Sequence, residues 1–147
     1  GNVIGYGATS GEIFLRGVVG ERLAVRNSGA TIVVEGAGDH VAEYMTGGTL
    51  IVLGPTGRNV AAGMSGGTAF FYDPHHNLAA QLAAGEFDLD VVDYNDEATL
   101  REVLQRFAAE TGSVVASSLL SQWSRSRMDF VRVQSMEYRR AVEKSNG

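Results

Sequence analysis

The chain has 147 residues, 44% of them hydrophobic, which suits one ordinary domain or a piece of a larger protein. A net charge of −5 and a pI near 5.1 argue against nucleic acid or an anionic membrane as the main partner. There is no cysteine, which excludes disulfides, cysteine-ligated zinc and iron–sulfur clusters held by this chain.

The first half repeats itself. EIFLRG follows Gly11, ATIVVEG follows Gly29, TLIVLG follows Gly48 and TAFFYD follows Gly67; these glycines are 18, 19 and 19 residues apart. Each run is followed by a second glycine-led half: ERLAVRNS after Gly20, DHVAEYMTG after Gly38 and RNVAAGMSG after Gly57. Short β-rich units at a fixed period are the mark of a solenoid with one coil per repeat. The expected fold is therefore mainly β: a single-stranded parallel β-helix of roughly 19 residues per coil, with a helical C-terminal tail.

Stacking the repeats on their glycines places Phe14, Ile32, Ile51 and Phe70 in one row, and Leu15, Val33, Val52 and Phe71 in the next. Strands in such rows lie about 4.8 Å apart in a parallel ladder. Thr9, Asn27, Thr46 and Ser65 form a polar corner column whose side chains can bond the corner backbone. A further column, Asn2, Glu21, Asp39 and Arg58, ends in two residues able to pair between coils. The opening stretch GNVIGYGATSG starts in mid-coil, and a terminal coil without a cap shows its apolar interior and an unpaired edge. The expectation is a chain cut from a longer protein, or a partner at this end, a homo-oligomer through the uncapped coil included. No apolar run reaches the length of a membrane span and no signal-peptide pattern opens the chain.

TIVVEG and TLIVLG are continuously apolar, the pattern of strands buried on both faces. Something should cover the outside of the sheet, either the tail or another polypeptide. Charge is uneven as well: residues 1–122 hold 6 basic and 14 acidic side chains, −8, and residues 123–147 hold 6 basic and 3 acidic, +3. The basic tail is expected to dock on acidic surface.

The coils occupy residues 1–73, and a cap and tail of the same structural unit occupy 74–147. In the tail, a helical turn is expected at Leu78–Ala84 and a strand at Leu89–Tyr94. Asn95 stands where a helix N-cap belongs, with Asp96 and Glu97 in the first turn. Leu100, Val103, Leu104, Phe107 and Ala108 form an apolar stripe, which Gly112 ends. Ser113 can cap a second helix carrying Val115, Leu119 and Trp123 on one side. Phe130–Val133 reads as a last strand and Ser135–Glu143 as a last short helix.

Candidate chemistry is thin. Lys144, the only lysine, follows no glycine, so there is no phosphate loop, and Gly5-Tyr-Gly7-Ala-Thr-Ser10 lacks the third glycine of the dinucleotide fingerprint. His40 lies between Asp39 and Glu43; on a strand the two acids share a face and His40 points the other way. His75-His76 reads as a solvated turn, and Ser65 as a corner residue rather than a nucleophile. No catalytic, cofactor-binding or metal-ligating residue is assigned.

GATSGEIFLRGVVGERLAVRNSGATIVVEGAGDHVAEYMTGGTLIVLGPTGRNVAAGMSGG resembles the C-terminal glycine-repeat (GXGXG) domain of the glutamate synthase large subunit. The tail agrees, from Thr111-Gly-Ser113 through Trp123 to FVRVQSMEYRRAV at Phe130. The resemblance implies a right-handed β-helix inside a large cytoplasmic flavoenzyme. That enzyme hydrolyses glutamine at a cysteine-dependent amidotransferase domain and reduces 2-oxoglutarate plus ammonia to glutamate with FMN and a 3Fe-4S cluster. Those groups lie elsewhere in the family's chain, so the implied role here is a scaffold with the enzyme's other domains as partners. Two other readings remain: a free-standing β-helix subunit or binding module of a related glutamate synthase-like or formylmethanofuran dehydrogenase-like complex, and a left-handed β-helix acyltransferase using His40. The second is disfavoured because its units are six residues long.

Overall fold

A computed structural model describes residues 11–19, 27–85 and 87–146. Four strands from the repeats, β1 (Glu12–Val19), β2 (Thr31–Ala37), β3 (Thr46–Val52) and β4 (Gly66–Tyr72), pair in parallel in chain order. The sheet then continues with tail strands. The last strand, β6 (Phe130–Ser135), pairs antiparallel with β4, and β5 (Phe87–Val91) pairs antiparallel with β6, giving the order β1-β2-β3-β4-β6-β5. Five helices accompany the sheet: α1 (Leu78–Gln81), α2 (Tyr94–Thr111), α3 (Val114–Ser121), α4 (Trp123–Ser126) and α5 (Met136–Asn146).

The expected single-stranded right-handed β-helix is thus corrected to a mixed α/β fold built on one six-stranded mixed sheet. The reason lies in the second halves of two repeats. DHVAEYMTG and RNVAAGMSG form turns before the next strand begins, with His40, Ala42 and Tyr44 at φ 63°, 60° and 55°, and Asn59, Ala61 and Gly63 at 58°, 64° and 66°. Residues in the left-handed region cannot extend a strand, so these halves supply no second sheet. The two turns do stack on each other: His40 N donates to Arg58 O (3.0 Å), Ala61 N to Val41 O (2.7 Å) and Tyr44 N to Ala62 O (2.7 Å).

The rows also shift by one position. Phe14, Val33, Ile51 and Phe70 are in register, as are Leu15, Val34, Val52 and Phe71, while Ile32 aligns with Ile13, Leu50 and Ala69. Ile32 is therefore not in the row of Phe14, and the one-residue slip turns it to the opposite face. The slip arises because Ala30, not Gly29, holds the place that Gly11 and Gly48 hold in their repeats. Thr31 N donates to Gly11 O (2.9 Å) and Thr49 N to Ala30 O (3.0 Å). The corner is shaped by Asn27, fully buried, whose Oδ1 accepts from Ala30 N (3.0 Å) and whose Nδ2 donates to Ala30 O (3.0 Å). Asp39 and Arg58 do meet between layers, though through the backbone: Arg58 N donates to Asp39 Oδ1 (2.6 Å). Thr9, Asn2 and Glu21 lie outside the described residues.

The sheet is buried on both faces, as its continuous apolar runs predict. On one side Ile32, Val34, Leu50, Val52 and Phe71 pack with Val41, Met45, Val60 and Met64 from the turns. On the other, Val33, Ile51 and Phe70 pack with Leu100, Leu104 and Phe107 of α2. The cover is the chain's own tail. α2 crosses the strands, meeting Arg132 of β6 through Asp96 and Phe14 of β1 through Phe107, an edge-on ring pair at 5.6 Å. Eleven helical residues span about 17 Å, and the four strand gaps from β6 to β1 span about 19 Å; the helix fits the sheet it covers.

Other tail elements follow the sequence with small shifts. Asp93, not Asn95, caps α2 by accepting from Asp96 N, and Gly112 ends the helix at φ 70°. Ser113 caps α3 through Ala116 N (3.1 Å). Ala116, Leu119 and Trp123 are buried, whereas Val115 is exposed.

Two glycine substitutions separate crowding from backbone conformation. Gly11 and Gly48 have φ of 88° and 81°; a Cβ at Gly11 meets nothing within 4 Å, while one at Gly48 meets Ala30 O at 2.5 Å and Asn27 Nδ2 at 2.7 Å. Gly11→Ala should cost about 1–2 kcal/mol, and Gly48→Ala clearly more, read as the shift in urea midpoint. Phe107→Ala should cost about 3–5 kcal/mol in the same measurement.

Candidate functional site

Two places concentrate polar groups. The first is a half-open cleft of about 320 Å³ beyond the C-terminal ends of β3 and β4, between the turns at Gly54–Thr56 and Asp73–His75 and helix α1. Its floor is apolar, made by Leu53, Phe71 and Leu78, each almost fully buried. Most of its polar groups are spent on holding the walls. Thr56 Oγ1 donates to Gln81 Oε1 (3.0 Å), and Gln81 Nε2 donates to Thr56 O (2.8 Å). Asp73 accepts from Asn77 N (2.9 Å) and Leu78 N (3.2 Å). Burial, and then the nearby negative charge of Asp129, raise the pKa of the Tyr72 phenol, which keeps it protonated. His75 lies exposed at the rim.

The second place is Arg132, in the middle of β6 and only 6% exposed. Its guanidinium faces four carboxylates: Asp96 at 2.8 Å, Asp93 at 3.5 Å, Asp90 at 3.7 Å and Asp88 at 3.9 Å. Only Asp96 is at the distance of a strong charge-assisted hydrogen bond, and Arg132 Nε has no partner. Asp93 is held below the usual carboxylate range, chiefly by the hydrogen bond from Asp96 N, with the charge of Arg132 adding to it against some burial. Neighbouring tail cations dock on the same acidic run: Arg139 on Asp88 (3.5 Å) and Arg127 on Glu97 (3.5 Å). Trp123 Nε1 donates to Glu97 Oε1 (3.1 Å). The basic tail therefore sits on the chain's own acidic surface. The run Asp88, Asp90, Asp93, Asp96 was visible in the sequence; its common focus on Arg132 needed the antiparallel pairing of β5 with β6.

The residues weighed from sequence stay apart. His40 stands in the turn after β2, with Nδ1 2.9 Å from Glu43 Oε2 at an angle that makes no hydrogen bond. The strand geometry expected to separate these two does not apply, because the segment is a turn. Ser65 is an exposed corner whose N–H donates to Met45 O (2.9 Å). His75 and His76 are exposed after β4. Among the described residues no three histidines or carboxylates are grouped to hold a metal.

The family described as GXGXG motif matches residues 1–136. The glutamate synthase [NADH] of Schizosaccharomyces pombe is 50% identical over 145 residues, 98% of this chain and 7% of that protein. The glutamate synthase [NADPH] large chain of Bacillus subtilis is 45% identical over 144 residues, 97% of this chain and 10% of its own length. The ferredoxin-dependent glutamate synthase of Pyropia yezoensis is 45% identical over 125 residues, 84% of this chain and 8% of that protein. The chain thus spans a tenth or less of the length of these relatives.

Removing the Arg132 side chain leaves a crowd of carboxylates with no central cation. Arg132→Ala should destabilise the fold by about 3–5 kcal/mol in chemical denaturation. Asp93 gives a pH test. Its lowered folded pKa means its stabilisation is present above the unfolded value and is lost as pH falls through the folded one. Asp93→Asn should therefore lower stability at neutral pH and flatten its decline below about pH 4, measured as urea midpoint against pH.

Proposed function

The chain belongs to the GXGXG motif family, and on that premise we propose that it is a structural domain of a glutamate synthase. It holds the glutamine-hydrolysing and flavin-containing parts of that enzyme in fixed relation and supplies no reacting group. The observation that carries this is the 45–50% identity to glutamate synthases over 97–98% of the chain in two relatives. The parent reaction converts glutamine and 2-oxoglutarate, with two electrons and two protons, into two molecules of glutamate. FMN and the iron–sulfur cluster would be held by other parts of the parent, in keeping with a chain that has no cysteine to ligate a cluster. The polar lining of the cleft, turned inward to fasten its own walls, supports a structural part. No described helix is long and apolar enough to cross a membrane, and a cytoplasmic location is part of the proposal.

The parent's electron donor is proposed to be a pyridine nucleotide. At the same 45% identity, the NADPH relative aligns over 97% of this chain and the ferredoxin relative over 84%.

The test is made in the full-length parent. Tyr72→Phe, His75→Ala and His76→Ala should each leave glutamine hydrolysis and ammonia-dependent glutamate formation within about two-fold of the parent rate, as substitutions outside the chemistry do. A loss of about 100-fold in either half-reaction, the size expected for a group that moves a proton in the transition state, would overturn the structural reading.

A further inference from the structure

The last strand of the sheet has a free side. Among the described residues β5 pairs with β6 alone and stands at the end of the strand order. Which of its backbone groups face outward follows from the neighbouring ladder. Asp73 N donates to Asp129 O (2.9 Å) in line with the β4–β6 pairs, so the odd-numbered residues of β6 turn their backbone groups to β4. The even-numbered ones turn to β5, where Gln134 and Arg132 stand opposite Asp88 and Asp90. The N–H and C=O groups of Phe87, Leu89 and Val91 therefore point away from the sheet. In keeping with this, Val91 N bonds the side chain of its exposed neighbour, Asp90 Oδ1 (2.8 Å).

The two faces of β5 differ. Leu89 and Val91, 39% and 68% exposed, border a shallow trough of about 340 Å³ with Leu78, Ala79 and Val131. On the other face Asp88 and Asp90 join Asp93 and Asp96 around Arg132, with Arg139 as second cation: four carboxylates to two guanidiniums. Edge strands are commonly closed by proline, lysine or a bulge. β5 has none of these and pairs five residues in unbroken register. We propose that this edge accepts one more strand, an extended segment of the parent enzyme in which apolar residues alternate with lysine or arginine. Its backbone takes up the outward N–H and C=O groups, its apolar side chains fill the trough, and its cations offset the surplus carboxylates. A second copy of β5 does not fit. It would set Asp88 and Asp90 against their own kind, and like charges directly opposite are destabilising. That the strand comes from the parent rests on the reading of this chain as a glutamate synthase domain, a tenth or less of the length of its relatives.

The experiment uses the full-length parent enzyme. Hydrogen exchange is first followed residue by residue without any substitution. The Leu89 amide should exchange about ten-fold or more slower than an unprotected amide; a smaller slowing means a bare edge and overturns the proposal. In a second measurement Val91 is replaced by the photo-crosslinking residue p-benzoylphenylalanine, and the cross-linked peptides are sequenced. The expected partner is a segment of the same parent in which apolar residues alternate with lysine or arginine. A cross-link to β5 of a second copy, a cross-link to a segment without that alternation, or no cross-link overturns the proposal. Glutamate formation in the same preparation separates two failures. A parent that makes no glutamate removes the glutamate synthase reading, and one that makes glutamate with a fast-exchanging Leu89 removes only the added strand.

Discussion

The structure depends on one row of side chains. Val33, Ile51 and Phe70, one from each of three stacked strands, face Leu100, Leu104 and Phe107 on α2. Each such side chain is worth about 1.5–3 kcal/mol when taken out of water, and without α2 the whole row would lie exposed. The other face of the sheet can be closed locally, because β2 and β3 each lead into a turn that packs beneath the sheet. Among the described residues of the repeats, none beyond the strands and Leu53 at the end of β3 joins the core on this face, which is covered by the tail. The four repeat strands therefore need the tail, and the tail needs a flat apolar surface to lie on.

Following that row along the sheet shows how the tail is fixed in place. After Phe70 the next position is Arg132 on β6, and after that Asp90 on β5. The row changes from apolar to charged where the sheet changes from parallel to antiparallel. α2 follows the same change: its apolar stripe lies over the repeat strands, while its first turn, with Asp93 and Asp96, lies over Arg132. A purely apolar contact would allow the helix to slide along the sheet. A buried guanidinium with a single close partner defines one position, the use of buried charge for register that is best attested elsewhere. At the far end, Arg106 Nη1 bonds the Glu12 carboxylate on β1, an exposed pair that adds little energy but marks the same alignment.

Much of this was legible in the sequence, and the failures have physical causes. Local signals were reliable: Gly112 and Ser113 mark a helix end and the next helix start because each solves a backbone problem that few other residues can. The continuous apolar strands announced a sheet covered on both sides. Register was misread because one repeat uses Ala30 where its neighbours use glycine, and a buried Asn27 ties its side chain across that corner. The sequence suggests a closed β-helix because DHVAEYMTG and RNVAAGMSG alternate well enough to pass for strands. Non-glycine residues such as His40, Ala42 and Tyr44 give no sequence sign of a left-handed backbone. The Arg132 cluster was invisible for a third reason: its acids and its cation lie about 40 residues apart and meet only through strand pairing.

The same reasoning bears on why an acidic chain keeps a basic end. Asp88, Asp90, Asp93 and Asp96 come within a short stretch where the sheet edge gives way to a helix start, and their mutual repulsion would oppose that turn. Arg132 and Arg139 arrive from the last strand and helix to offset it. Arg132 and Arg139 thus tie the final strand and helix to the acidic segment that leads into α2. In a domain whose central strands come from a repeat, it is the non-repeating part that decides which arrangement those strands adopt.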